Sequence, residues 1–288
     1  MDQSSDKLSR TKPAPEADGQ YWKKISARFY FSIPSPMRPG EEDVRYYSRA
    51  VSEWLGTGRK PRILILGVTP EFYFMSWPEG TDILAVDHSE HMIRNIWPGE
   101  ARQAMCAEWA TVPLPGQSRD LVFCDGGISF LAYPDGLAAL ASNLQRIVAP
   151  GGLFVTRIFE PGQDREDPAQ VIDDFLAGRI SNSGILKLRL EMALSARSSK
   201  GVKLDDVWRY YAGAVGAATE LPARTGWSDA ELGAIARFAG CEERYYFPTA
   251  EQVCEVLCKG SGTFECRSIQ EPGYELHEHL RFLTFART

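Results

Sequence analysis

Four short apolar runs constrain the fold of this 288-residue chain more than any other feature. They are Ile63-Leu64-Ile65-Leu66, Ile83-Leu84-Ala85-Val86, Leu121-Val122-Phe123-Cys124 and Leu153–Phe159. The first three are continuously apolar and the fourth is interrupted only by Thr156-Arg157, and none alternates strictly, so each suits a strand covered on both faces. Helical spacing of apolar residues lies between and beside them. Val44, Tyr47, Val51, Trp54 and Leu55 precede the first run, Met92, Ile93 and Ile96 follow the second, and Leu137, Leu140, Leu144 and Ile147 precede the last. Strands alternating with helices at such distances imply a parallel sheet with right-handed crossovers. A short strand at Ala104–Cys106 and two more near Thr263–Ile269 and Leu280–Ala286 extend it. The expected fold is α/β: a doubly wound, mostly parallel seven-stranded sheet with an antiparallel edge hairpin.

The rhythm breaks after Phe159. Residues 161–245 read as a helical insert that serves as a lid, and residues 246–288 return to the sheet through a helix at Thr249–Lys259 and the hairpin. Residues 1–20 read as a flexible polar tail, and 21–160 as an aromatic, Pro-rich arm followed by the core. Within the insert, Ile185–Leu190 alternates as a strand would. Glu191–Ala196 continues it with good helix formers, and the stretch is read as helix. Trp208, Tyr210, Tyr211 and Trp227 either shape a substrate pocket or pack the insert's own interior.

Hydrophobic residues make up 44% of the chain, enough for a sizeable core, yet no apolar run reaches the ~18 residues of a membrane span. The first twenty residues hold no apolar export segment, which points to a cytoplasmic protein. The six cysteines show no disulfide or metal-binding spacing and read as reduced thiols, with Cys254 and Cys258 as packing residues. His277 and His279 read as surface residues. The net charge of −6 opposes a phosphate-binding surface, and no nucleic-acid partner is expected.

Ligands of doubly wound sheets sit at the carboxyl ends of the strands. There the chain places Gly67 after the first apolar run and Asp87 after the second, twenty residues on. That is the distance at which an acid meets the hydroxyls of a ribose bound over a glycine turn. The turn itself, Gly67-Val68-Thr69-Pro70-Glu71, is poor for phosphate. It has one glycine, Pro70 lacks an N–H donor, and Glu71 sets a negative charge where a pyrophosphate would lie. Thr69 reads as the cap of the helix that follows, with Pro70 in its first position. A nucleoside without phosphates fits better than NAD, FAD or ATP.

These stretches resemble the class I S-adenosylmethionine-dependent methyltransferases, which have a Rossmann-like fold. The likeness covers about Arg62–Phe159 and the last two strands, and rests on ILILGVTPEF, ILAVDHSEHMI, AEWATVPLPGQSRDLVF and RIVAPGGLFVTRIF. The resemblance implies S-adenosylmethionine as cofactor, with Gly67, Thr69 and Pro70 beneath its amino-acid part. Asp87 would take its ribose and Glu108 its adenine amino group. Trp109 would flank the ring, and His88 and Met92 its edge. Asp125 and Gly126 would stand where cofactor and substrate meet. From the arm, Tyr30 would face the sulfonium and Arg38 would pair with the cofactor carboxylate. No nucleophile motif announces a base. Asp125 and Tyr133 are the candidates, and a small organic molecule is the expected substrate. A non-catalytic cofactor-binding or scaffold protein on the same fold is the alternative.

Overall fold

A computed structural model of the protein describes residues 26–162, 164–195, 200–216, 220–259 and 262–288. The tail at 1–20 and the first residues of the arm, with Tyr21 and Trp22, lie outside the described residues. The arm contributes α1 (Ala27–Tyr30), followed by α2 (Glu41–Leu55). The core then alternates β1 (Arg62–Leu66), α3 (Pro70–Tyr73), β2 (Asp82–Asp87), α4 (Glu90–Ile96), β3 (Ala104–Cys106), β4 (Arg119–Asp125), α5 (Asp135–Ile147) and β5 (Val148–Phe159). The insert holds α6 (Pro168–Leu176), α7 (Ser183–Ser195), β6 (Val202–Lys203), α8 (Leu204–Val215) and, after further short turns, β7 (Arg244–Tyr245). Strands β8 (Phe264–Gln270) and β9 (Leu280–Arg287) close the chain.

Seven strands form one sheet in the order β3-β2-β1-β4-β5-β9-β8. The first five are parallel, and β9 and β8 run antiparallel at the edge. This is the expected doubly wound, Rossmann-like sheet. Successive residues of a strand face opposite sides, so each apolar run divides between two cores. Ile63, Ile65 and Phe123 join the cluster that also holds Tyr47, Phe72 and the insert. Leu64, Leu66 and Val122 join the cluster under α5, with Leu140, Leu144 and Phe285. The order reverses between β1 and β4, and the crevice at their carboxyl ends is where such sheets take ligands.

Ile185–Leu190 lies within helix α7, not a strand. The helix is buried around most of its circumference, including Lys187 and Glu191, and a helix covered on all sides shows no amphipathic period to read. One expectation, the surface placement of His279, needs correction, and three others gain detail. Thr249 does cap a helix, but regular α-helix ends at Cys254 and the turn Glu255–Lys259 is widened into π geometry. The insert is not wholly helical, because β6 and β7 pair antiparallel, two residues each and too short to leave a period. His279 is buried, where its Nδ1 accepts the Gly162 N–H at 2.9 Å and so satisfies a part-buried backbone donor. Trp227 and Tyr211 pack on Phe175, with ring centroids 5.0 and 5.8 Å away, and form the insert's own core.

An ion cluster ties α6 to α7. Asp174 Oδ2 meets Arg189 Nη2 at 2.6 Å and its Oδ1 meets Arg179 Nη2 at 2.6 Å. Burial alone would raise its pKa, but hydrogen bonds from Arg189, Arg179 and Gln170 prevail and hold the carboxyl down to about 2. A depressed carboxyl stabilises the fold above its ordinary pKa near 4 and loses that contribution as pH falls through about 2. Asp174→Asn is therefore expected to unfold at a lower temperature than the native protein at pH 7. The gap should close in thermal melts between about pH 4 and pH 2, and a pH-independent gap would refute the electrostatic account.

Candidate active site

The turn after β1 is made possible by Gly67, whose φ of +95° is strained for any side chain. Its N–H donates to Val86 O at 2.8 Å, so the turn leaves the sheet only after a last ladder bond. Thr69 is the N-cap residue of α3 as expected, with extended backbone, but its side chain makes no cap bond. Pro70 does occupy the first helical turn. The turn is held from above by the arm, because Tyr30 Oη donates to Val68 O at 3.0 Å.

Asp87 ends β2 with its carboxyl facing this turn. Its Oδ1 accepts the Ser89 N–H at 2.7 Å, and the Val68 N–H also donates to the carboxylate. Burial raises its pKa, opposed by those two backbone donors and His88. A carboxylate offers about four acceptor positions, so two remain for a ligand's hydroxyls. Ser89 caps α4, accepting the Met92 N–H at 3.3 Å, and so fixes the buried Met92 below the crevice. His88 is exposed beside it.

Glu108 is exposed after β3. Trp109 follows it and is buried, its Nε1 donating to Val86 O at 2.7 Å while Asn143 Nδ2 donates to its carbonyl at 2.7 Å. Locked in this way, the indole forms the floor beneath the turns after β1 and β4. A Cβ on Gly127 would lie 2.8 Å from Trp109 Cη2 and 2.7 Å from Cys124 Sγ. Gly127→Ala is expected to cost about 1–3 kcal/mol in urea unfolding, since both neighbours are buried and cannot withdraw. An unchanged midpoint would show that the indole is free to shift.

Asp125, at the end of β4, was expected to be a base or a ligand contact. Its oxygens are committed elsewhere. Oδ1 receives Arg157 Nε at 2.8 Å and Tyr47 Oη at 3.0 Å, and Oδ2 receives Arg157 Nη2 at 2.7 Å. Burial pushes its carboxyl up to about 6 against the pull of Arg157, and three donors already occupy most of its acceptor positions. Arg157 is itself fully buried. Its remaining N–H groups reach Asp43 Oδ2 at 2.9 Å, Tyr274 Oη at 2.9 Å and Pro36 O at 2.7 Å. All five donors of the guanidinium fork are thus used.

Arg38 does reach the crevice, but Glu71 already pairs with its Nε, and its Nη1 donates to Tyr30 O at 3.2 Å. The expected partner of Arg38, a ligand carboxylate, would have to share it with a resident one.

One cavity of about 410 Å³ gathers these parts. Gly67, Thr69, Asp87, His88 and Met92 line one end with Glu108 and Trp109, and Tyr30, Arg38, Asp125 and Gly126 lie along the same walls. Pro70 and Tyr133 do not line it; Pro70 is buried within α3 and Tyr133 packs against the core under α5. Sequence reasoning missed the rest of the lining, to which Ile33 and Met37 of the arm, Phe130, Leu188 of α7, Tyr245 and Phe247 belong. Tyr246 N donates to Ser129 O at 2.8 Å and pins the end of the insert beside β4. No local signal marks these residues, which come from four separated segments.

The residues fit S-adenosylmethionine. The strand ends offer carboxylate acceptors for ribose and an amino group, Met92 and Trp109 offer apolar faces, and the first turn lacks the donor nest that a pyrophosphate needs. The methyltransferase domain family matches residues 66–156, the stretch that holds these strand ends. No curated protein matches the chain. Among solved structures, one described as a putative Zn-dependent alcohol dehydrogenase from Rhodobacter sphaeroides has a TM-score of 0.58 at 13% identity, covering 93% of this chain and 96% of its own. That likeness is one of fold. A SAM-dependent methyltransferase from Methanosarcina mazei gives a TM-score of 0.46 at 12% identity, over 80% of this chain and 92% of its own. Magnesium protoporphyrin IX methyltransferase from Synechocystis, with bound SAH, gives 0.44 at 12% identity, over 86% of this chain and 84% of its own. Residues 66–156 thus match a methyltransferase domain, and the acceptors and apolar faces at its strand ends fit S-adenosylmethionine.

Proposed function

We propose that this enzyme methylates a small organic molecule held in the apolar end of the cavity. The observation that carries this reading is the continuity of one cavity from Asp87 and Glu108 to Ile33, Leu188 and Phe247. Arm and insert both wall it, which suits an enclosed small ligand better than a polymer lying in an open groove. Asp87 accepts the ribose hydroxyls, Glu108 accepts from the adenine amino group, and Trp109 and Met92 flank the ring. Tyr30 and Arg38 stand toward the amino-acid part.

The cofactor supplies a methyl group already activated by its sulfonium. Bound there, it would offer that methyl carbon in line to a lone pair of the substrate, the carbon–sulfur bond breaking as the new bond forms and any proton on the acceptor leaving with the product. Asp125 takes no part as a base, since Arg157 and Tyr47 hold its oxygens. Rate enhancement then rests on alignment and on the exclusion of bulk water by the arm and insert. Calorimetry with S-adenosylhomocysteine, followed by a mass-spectrometric screen of a small-molecule library for gain of one methyl group, tests this reading. Methylation of peptides or RNA with none on small molecules would overturn it.

A further inference from the structure

Three cationic side chains line the cavity: Arg38, His88 and Arg244. Arg38 is paired with Glu71. His88 lies at the nucleoside end, its Nδ1 3.8 Å from Asp87 Oδ1. Arg244 differs from both. It stands on β7 and lines the cavity, and among the described residues it forms no ion pair with a carboxylate. Its one hydrogen bond there is a long one, Nη1 to Gly201 O at 3.5 Å. Its neighbours along the wall are apolar apart from Glu243. Tyr245 is buried and meets Phe130 with ring centroids 5.0 Å apart, and Phe247 and Leu188 continue the surface. Backbone pairing of Tyr246 with Ser129 keeps this edge against the end of β4, where the methyl group is transferred in the reading above.

An exposed guanidinium beside an aromatic wall selects a ligand with an apolar body and an anionic end. Glu243, just before β7, lines the cavity too and sets a negative charge nearby. We propose that Arg244 anchors the carboxylate of the substrate, and that the substrate class is an apolar carboxylic acid with an aromatic or long aliphatic body. This inference rests on the small-molecule reading. The carboxylate stays at the wet mouth while the body desolvates between Phe130, Tyr245 and Leu188.

The test uses the full chain saturated with S-adenosylhomocysteine. Binding of 4-phenylbutyrate, indole-3-acetate and decanoate is compared by ligand-observed NMR and calorimetry with that of their primary amides. At least one acid is expected to bind about tenfold more tightly than its amide to the native protein. Arg244→Gln should abolish that preference, Arg244→Lys should keep part of it, and both variants should bind S-adenosylhomocysteine as the native protein does. If S-adenosylhomocysteine itself fails to bind, the cofactor-site reading fails. If it binds but acids and amides are indistinguishable, if no acid binds, or if Arg244→Gln keeps the preference, the role of Arg244 is overturned while the small-molecule reading stands.

Discussion

Replacing Arg157 with methionine is expected to destabilise the protein by about 3–5 kcal/mol in urea or thermal unfolding. The guanidinium is fully buried with Asp43 and Asp125 on either side, at 2.9 and 2.7 Å. Removing it leaves two carboxylates in the interior with no counter-charge, and Tyr274 and the Pro36 carbonyl without a donor. Methionine fills most of the volume, so the loss reports on charge and hydrogen bonds more than on a void. Arg157→Lys should also be severe, because one ammonium cannot serve the five directions of the fork. Adding Asp125→Asn and Asp43→Asn to the methionine variant should recover part of the loss by removing the stranded charges. Failure of that rescue, or a loss below about 1 kcal/mol, would contradict the ion-pair account.

Asp87→Ala is expected to weaken S-adenosylmethionine binding by roughly 10–100-fold in calorimetry, the range for losing hydrogen bonds to a charged group. Two losses combine. The variant removes the acceptors proposed for the ribose, and it also frees the Val68 and Ser89 N–H groups that the carboxylate now gathers. Asp87→Asn separates them, since an amide oxygen can still accept one backbone bond. Burial raises the pKa of Asp87, and the ionised form is the acceptor. Affinity in the native protein should therefore fall as pH drops through that raised value, by at most about tenfold per unit. A flat pH profile, or an alanine variant that binds as the native protein does, would remove Asp87 from the site.

The strand ends were legible in the sequence because each is written locally. A continuous apolar run followed by an acid or a glycine needs no tertiary information, and Gly67 and Asp87 follow from it, whereas Glu108 was singled out by the family resemblance. Asp125 was legible as a position but not as a role. Its partner Arg157 lies 32 residues on, and nothing local says that a strand-end acid faces inward to an arginine instead of outward to a ligand. Leu188, Tyr245 and Phe247 were not legible at all. They belong to an insert whose α7 is covered on every side, and hydrophobic periodicity cannot tell a cavity wall from a core contact. Of the two readings open for Trp208, Tyr210, Tyr211 and Trp227, the structure favours the interior one: none of them lines the cavity, and Tyr211 and Trp227 serve the insert's interior.

The guanidinium hub of Arg157 also bears on where this enzyme could be cut or grafted. The stretch that carries the methyltransferase signature ends at residue 156, one position before it. A module excised at that boundary would keep every strand-end acid yet lose the residue that neutralises Asp125. The anchor for the arm, through Pro36, would go with it. The edge hairpin lines no part of the cavity, yet Tyr274, in the turn between its strands, supplies one of the hub's partners from 117 residues downstream. The shortest unit able to hold a closed cleft is therefore much larger than the unit that identifies the family. Chimeras with related enzymes should exchange the insert while leaving the arm, β5 and the hairpin from one parent.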